Sequence, residues 1–297
     1  MYLDAAHGGW LGWSNNLSQF LKVVTSLKFD ITAIRGFSTN VANYQPVGTM
    51  CEWQSTDGIT NSYCLNSEHQ SDPCCADPCK LESQFNPANN ELNYINSISH
   101  QIKTFVPDYT PHFIIDTGRN GQTNMRSSCS NWCNVRGAGI GVFPASITPF
   151  SDVLDAFFWL KTPGESDGCS EMLPNGSPCP RYDSMCGSVD SIGSINSEPR
   201  APEAGAWFLY QIQQLASNGF EQKVMRPLEK EVQQVIPLTN NDPSNLVHTS
   251  NADIVGSILI LALIAVFIVS GVAIYKVARN DFSPQYNNSQ PLLSNQV

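Results

Sequence analysis

Trp159-Leu160-Lys161-Thr162-Pro163-Gly164-Glu165-Ser166-Asp167-Gly168 decides how this chain is read. A largely apolar run, Leu154 to Leu160, stops there at a lysine, a Pro-Gly break and two carboxylates two residues apart. Apolar runs of this length bounded by Gly and Pro read as buried strands of the parallel type. Polar groups at the C-terminal end of such a strand are where α/β barrels keep their chemistry. A lysine and two acids on a glycine-bearing turn, with a tryptophan before them, suit carbohydrate chemistry, because carboxylates move protons and indoles stack on sugar faces. Taken alone, the segment reads equally well as a surface loop with an ordinary ion pair.

The same grammar recurs on either side. Met1 to Leu3 reads as a strand end, after which Asp4, His7, Trp10 and Trp13 crowd a glycine-rich loop. Leu17, Phe20, Leu21, Val24 and Leu27 keep helical spacing, with Ser14 or Asn15 as the cap. Ile31 to Ile34 reads as a short strand ending at Arg35-Gly36, and Leu92, Ile95, Ile98, Ile102 and Phe105 as a second amphipathic helix. Phe113-Ile114-Ile115 is another strand, ending at Asp116, and a last helix is expected from about Pro202 to Ser217, opened by Pro202-Glu203. Strands whose C-terminal ends carry Asp4, Arg35, Asp116 and Lys161 predict an α/β fold, barrel-like or doubly wound. Only about four such units are present, too few to close a barrel, and an open half leaves unpaired strand edges.

The chain has 297 residues, with 26 Asp+Glu against 16 Lys+Arg for a net charge of −10. No basic patch interrupts this balance, which argues against a nucleic-acid partner. All ten cysteines fall between Cys51 and Cys186. Zinc is the competing use, through Cys75-x3-Cys79 and Cys129-x3-Cys133, but no second tidy pair or histidine cluster follows. Disulfides in an oxidising compartment are the expectation, and the sequons at Asn16 and Asn175 agree with it. Residues 46–90 hold five cysteines among many Pro, Asn, Ser and Asp, and read as a stapled insertion.

Ile254 to Tyr275 contains no charged residue. Twenty-two helical residues rise about 33 Å, enough to cross a bilayer. Lys276 and Arg279 follow the run, while Asp242 and Asp253 precede it. The expectation is therefore a polar stalk over 221–253, a transmembrane helix at 254–275 and a cytoplasmic tail over 276–297, with the cysteine-rich part outside the cell. Met1-Tyr2-Leu3-Asp4 lacks both a basic and an apolar leader region, so a further expectation is that the chain is a portion of a longer protein.

Six segments resemble, in order and kind, those of glycoside hydrolase family 6, the inverting cellulases. They are Tyr2 to Trp13, Arg35 to Tyr44, Phe113 to Gly121, Trp132-Cys133-Asn134, Trp159 to Gly168 and Ala201 to Phe208. The resemblance spans residues 1–220 and implies a distorted β/α barrel, of which this chain would hold the C-terminal half to two-thirds. It implies hydrolysis of β-1,4-glucan with no cofactor and no metal. By position, Asp167 resembles the catalytic base, and Arg119 and Lys161 the cations that keep it ionised. Trp132, Lys161 and Glu165 resemble sugar-binding residues on the non-reducing side. His7, Trp10 and Asn43 resemble those on the leaving-group side, with Trp13 an outer stacking platform. Cys133 and Cys186 resemble the family disulfide beside the base loop, which leaves Cys169 and Cys179 to pair in the same region.

Two features depart from the family. No segment resembles its acid-bearing motif, approximately Glu-Pro-Asp-Ser, although inversion requires two carboxyl groups. The insertion over 46–90 and the loop over 169–186 are also longer than in the simplest members. Two functions follow as expectations: a membrane-anchored extracellular glucanase whose general acid lies outside this chain, or a non-catalytic glucan-binding surface protein.

Overall fold

Four short parallel strands and one antiparallel edge strand make a single sheet. They are β1 (Tyr2–Asp4), β2 (Gly36–Thr39), β3 (His112–Asp116), β4 (Ala145–Ser146) and β5 (Leu154–Phe158), in the spatial order β1-β2-β3-β5-β4. β1, β2, β3 and β5 run parallel, and β4 runs antiparallel to β5. This is a computed structural model that describes residues 1–27, 30–55, 57–146 and 152–219. All of these fall within one compact unit, Met1–Ile236. The expected stalk, transmembrane helix and tail lie outside the described residues. Among the described residues no helix is long and apolar enough to cross a membrane.

Three helices follow the strands: α1 (Gly8–Leu11), α2 (Ser14–Thr25) and α3 (Glu91–Gln101); a fourth, α4, occupies 209–219. The apolar stripes of α2 and α3 face the sheet. Leu17, Leu21, Val24, Leu92, Ile95, Ile98 and Ile102 pack with Phe37, Phe113, Ile115, Leu154 and Phe157 into one core. Each large side chain so buried contributes about 1.5–3 kcal/mol relative to exposure, which fixes where the strand ends point.

Several expected boundaries are corrected. Ile31–Ala33 forms a 3₁₀ turn, capped by the Asp30 carboxylate on the Thr32 amide, and the strand begins only at Gly36. A mostly apolar run of four residues does not distinguish strand from helical turn, and here the cap decides. Arg35 consequently precedes its strand and sits at the N-terminal end of the sheet, opposite the other three strand-end groups. A side chain at Gly36 would strike the carbonyl of His112, which explains glycine at the first rung. The last helix starts at 209 instead of 202, because the chain turns at Ala204–Gly205 and the backbone of Ala206 and Phe208 then pairs with Ser166 and Gly164 of the Asp167 loop. Trp13, not Ser14 or Asn15, occupies the cap position of α2, and it makes no side-chain cap bond.

All ten cysteines are paired, as the disulfide expectation had it: Cys51–Cys74, Cys64–Cys75, Cys79–Cys129, Cys133–Cys186 and Cys169–Cys179. The last two are the pairs implied by the family resemblance.

Candidate active site

The loops that leave the C-terminal ends of the parallel strands converge on Asp167. Its own loop turns sharply at Gly164, which sits at φ +93° with the Trp207 and Ile212 side chains where a Cβ would go. The Asp167 carboxylate is 4% exposed, and Arg119, against it, is 2% exposed. Arg119 Nη1 donates to Oδ2 at 2.6 Å, and Lys161 Nζ lies 2.9 Å from Oδ1. Two neutral donors complete the cradle: the Asn134 backbone N–H at 2.8 Å and the Tyr44 hydroxyl at 3.2 Å, both to Oδ2. The Asn134 side-chain oxygen accepts the Asp167 N–H at 2.7 Å, so the two residues are latched in both directions.

Burial pushes the Asp167 carboxyl up, but the Arg119 and Lys161 charges push it further down, and it is held below its ordinary value. Burial drives the Tyr44 phenol well above its usual range, so it remains a donor. Arg119 stacks over the Tyr44 ring at 4.4 Å and also donates to the Ala42 carbonyl. The result is an ionised carboxylate whose orientation is fixed by four donors. Such a group can polarise a water or stabilise positive charge developing next to it.

Asp116 holds the frame. Its carboxylate accepts the backbone N–H of Lys161 at 2.9 Å, of Gly118 at 2.9 Å and of Ala42 at 3.2 Å. Burial raises its pKa, against the amide bonds. Tyr44, Asn134 and Asp116 were not expected as site residues. The strand-end position of Asp116 was the available signal; Tyr44 and Asn134 stand inside quoted motifs with nothing local to mark them.

The remaining expected residues fall on four loops. Glu165, in the Asp167 loop, forms a backbone bridge with Trp207. Trp132, 38% exposed, immediately precedes the Cys133–Cys186 disulfide and Asn134. His7 and Trp10, with ring centroids 6.3 Å apart, sit on the loop after β1, and Trp10 is 66% exposed. Burial, and then the nearby charge of Arg126, lower the His7 pKa to about 4, so the ring is neutral at pH 7. Its Nδ1 is buried and has no hydrogen-bond partner. Asn43 turns its side-chain oxygen to the Tyr44 N–H at 2.8 Å, and Trp13 donates its indole N–H to the Gln84 carbonyl at 2.9 Å, which ties it to the insertion.

A buried carboxylate clamped by two cations at the C-terminal ends of parallel strands stands where α/β proteins keep their chemistry. Residues 1–219 match the sequence model of glycosyl hydrolases family 6, and the chain belongs to that family. It is 38% identical over 223 residues to a probable 1,4-beta-D-glucan cellobiohydrolase C of Aspergillus fumigatus, covering 73% of this chain and 40% of that one. Among solved structures it is similar to the catalytic core of the cellobiohydrolase Cel6A from Chaetomium thermophilum, with TM-score 0.52 and 34% identity. It is also similar to cellobiohydrolase II of Humicola insolens in complex with glucose and cellotetraose, with TM-score 0.53 and 31% identity. Each match covers 73% of this chain and 50% of the solved one. The chain therefore spans about half the length of the relatives it matches or less.

Proposed function

We propose that residues 1–219 form the base-bearing portion of an inverting β-1,4-glucan hydrolase. The four parallel strands would be the C-terminal half to two-thirds of a distorted β/α barrel. Asp167 carries the reading: a carboxylate held ionised and oriented by Arg119, Lys161, Asn134 and Tyr44 at the strand ends. In this reading Asp167 accepts the proton of the attacking water and Arg119 supports it. Trp132, Lys161 and Glu165 hold glucose units on the non-reducing side. His7, Trp10 and Asn43 hold the leaving side, with Trp13 further out. The relative from Humicola insolens, bound to cellotetraose, supports the choice of substrate.

Inversion needs a second carboxyl about 6.5–9.5 Å from the base, to protonate the leaving oxygen. In this reading that group would come from the portion of the family domain that these residues do not cover, since the chain matches 50% of the solved relatives. The uncharged run 254–275 anchors the protein at the cell surface, with 276–297 in the cytosol.

The test is cellotetraose hydrolysis followed by proton NMR of the anomeric signals. The chain 1–297 alone is expected to bind cellotetraose without cleaving it. A longer form that includes the acid-bearing portion is expected to cleave it and release the inverted anomer first. Retention of configuration would overturn the mechanism, and binding without cleavage in the longer form would favour a non-catalytic glucan-binding protein.

A further inference from the structure

The cysteine-rich insertion is joined to the rest of the described chain by a single disulfide. Cys51–Cys74 and Cys64–Cys75 close within it, whereas Cys79–Cys129 leaves it. Packing alone does not fasten that side: a cavity of about 590 Å³ opens between Pro73, Asp77 and Pro78 of the insertion and Asn120, Thr123 and Asn124. Cys129 lies four positions before Cys133, which is bonded in the other direction to Cys186. The short segment between them carries Trp132 and runs directly into Asn134, whose N–H meets Asp167.

Nothing regular supports this segment, since no helix or strand occurs between Asp116 and Ala145. Trp132 also belongs to none of the buried apolar clusters. Polar ties assist. Arg126 Nη1 reaches the carbonyls of Cys129 at 2.8 Å and Asn131 at 3.2 Å, while the Asp190 carboxylate accepts from Ser127 and Asn131. Arg126 in turn lies over the Tyr44 ring at 5.6 Å, on the residue that donates to Asp167.

We propose that the Cys79–Cys129 disulfide makes the insertion a strut for the sugar-facing segment 129–134, positioning the Trp132 platform and the Asn134 amide; this rests on the glucan-binding reading of the site. The strut is the disulfide most open to a reductant in solution. Eight of the ten cysteines are buried, and the two that are not are Cys79 and Cys129.

The experiment opens this bond in two ways. One is the Cys79→Ser/Cys129→Ser variant. The other, independent of whether that variant folds, is mild reduction of the native protein with tris(2-carboxyethyl)phosphine and alkylation, mapped to confirm that Cys79 and Cys129 alone are modified. Two readouts follow: cellotetraose affinity, and the ¹⁹F resonance of 5-fluorotryptophan at Trp132, assigned with Trp132→Phe. Opening the strut is expected to broaden or shift the Trp132 resonance and to weaken cellotetraose about 2–10-fold, the cost of ordering one loosened side chain on binding. The Cys51→Ser/Cys74→Ser control should change neither. An unmoved Trp132 resonance after the bond is opened would overturn the strut, as would an equal effect in the control. If the intact protein does not bind cellotetraose, the glucan reading fails and the resonance still decides the strut.

Discussion

Two carboxylates with cationic partners stand at opposite ends of the same sheet. At the C-terminal end, Asp167 and Arg119 are 4% and 2% exposed, with Lys161 against the second oxygen. At the N-terminal end, Asp155 and Arg35 are 24% and 51% exposed, joined by two bonds of 2.8 Å, with His112 and the Tyr2 hydroxyl on the same carboxylate. Both arrangements lower a carboxyl pKa: at Asp155 the Arg35 hydrogen bond leads, at Asp167 two charges overcome burial. The lower cluster stitches β1, β2, β3 and β5 together where water still screens the charges, so its worth is small. The upper one has been taken out of water, which makes every partner consequential. Charge pairing alone does not single out a candidate site; pairing at the cost of desolvation sets Asp167 apart from Asp155.

The largest difference should appear in catalysis. In the enzyme that includes the acid-bearing portion, Asp167→Asn should lower kcat on cellotetraose on the order of 10²–10⁴-fold, the usual worth of a general base. Asp155→Asn should leave kcat near that of the parent. Comparable losses in both would collapse the distinction.

Stability comes next. Arg119→Ala leaves a buried carboxylate without its main partner and should cost about 3–5 kcal/mol in urea unfolding. Arg35→Ala, at an exposed site, should shift the midpoint far less. A larger loss at Arg35 would show that the lower cluster, not the upper, holds the sheet together.

Acid titration sharpens the comparison further. Both carboxyls are depressed in the folded state, so their contribution is complete above the unfolded value near 4 and fades as the pH falls through the folded values. Urea midpoints measured from pH 5 downwards should fall less steeply in Asp155→Asn than in the parent. A parallel fall would mean that Asp155 is not depressed.

Glu91 gives the smallest expected effect, with the opposite sign. It is fully buried at the start of α3, where it accepts the Gly8 N–H at 3.0 Å. Burial raises its pKa from 4.5 to about 7. The folded state therefore binds more protons than the unfolded one between those values, and stability should drop as pH rises across that window. Glu91→Gln should flatten this drop; an unchanged pH slope would show that Glu91 is not raised.

Much of this was legible in the sequence because strand ends announce themselves. Asp116 and Lys161 each follow an apolar run at a break, the periodic faces of α2 and α3 named the core, and the role expected of Asp167 came from the family resemblance. What stayed hidden depends on contacts distant in the chain. Asn134 acts through its backbone N–H, which no residue type advertises, and Tyr44 through a hydroxyl 123 positions from its acceptor. The Ile31 to Ile34 run misled because its apolar content suits a strand and a turn equally, and the deciding group, Asp30, lies outside the run. The Cys79–Cys129 pairing could not be read at all, since ten cysteines admit too many connectivities.

One further consequence belongs to Asp116. By catching the amides of Ala42, Gly118 and Lys161, one side chain joins three loops that start from different strands. The loop bearing Asn43, the turn leading to Arg119 and the arm carrying Lys161 thus share a common hinge pin. Displacing any one of these loops would strain the Asp116 bonds to the other two, so the three are geared to a single motion instead of being free to adjust separately.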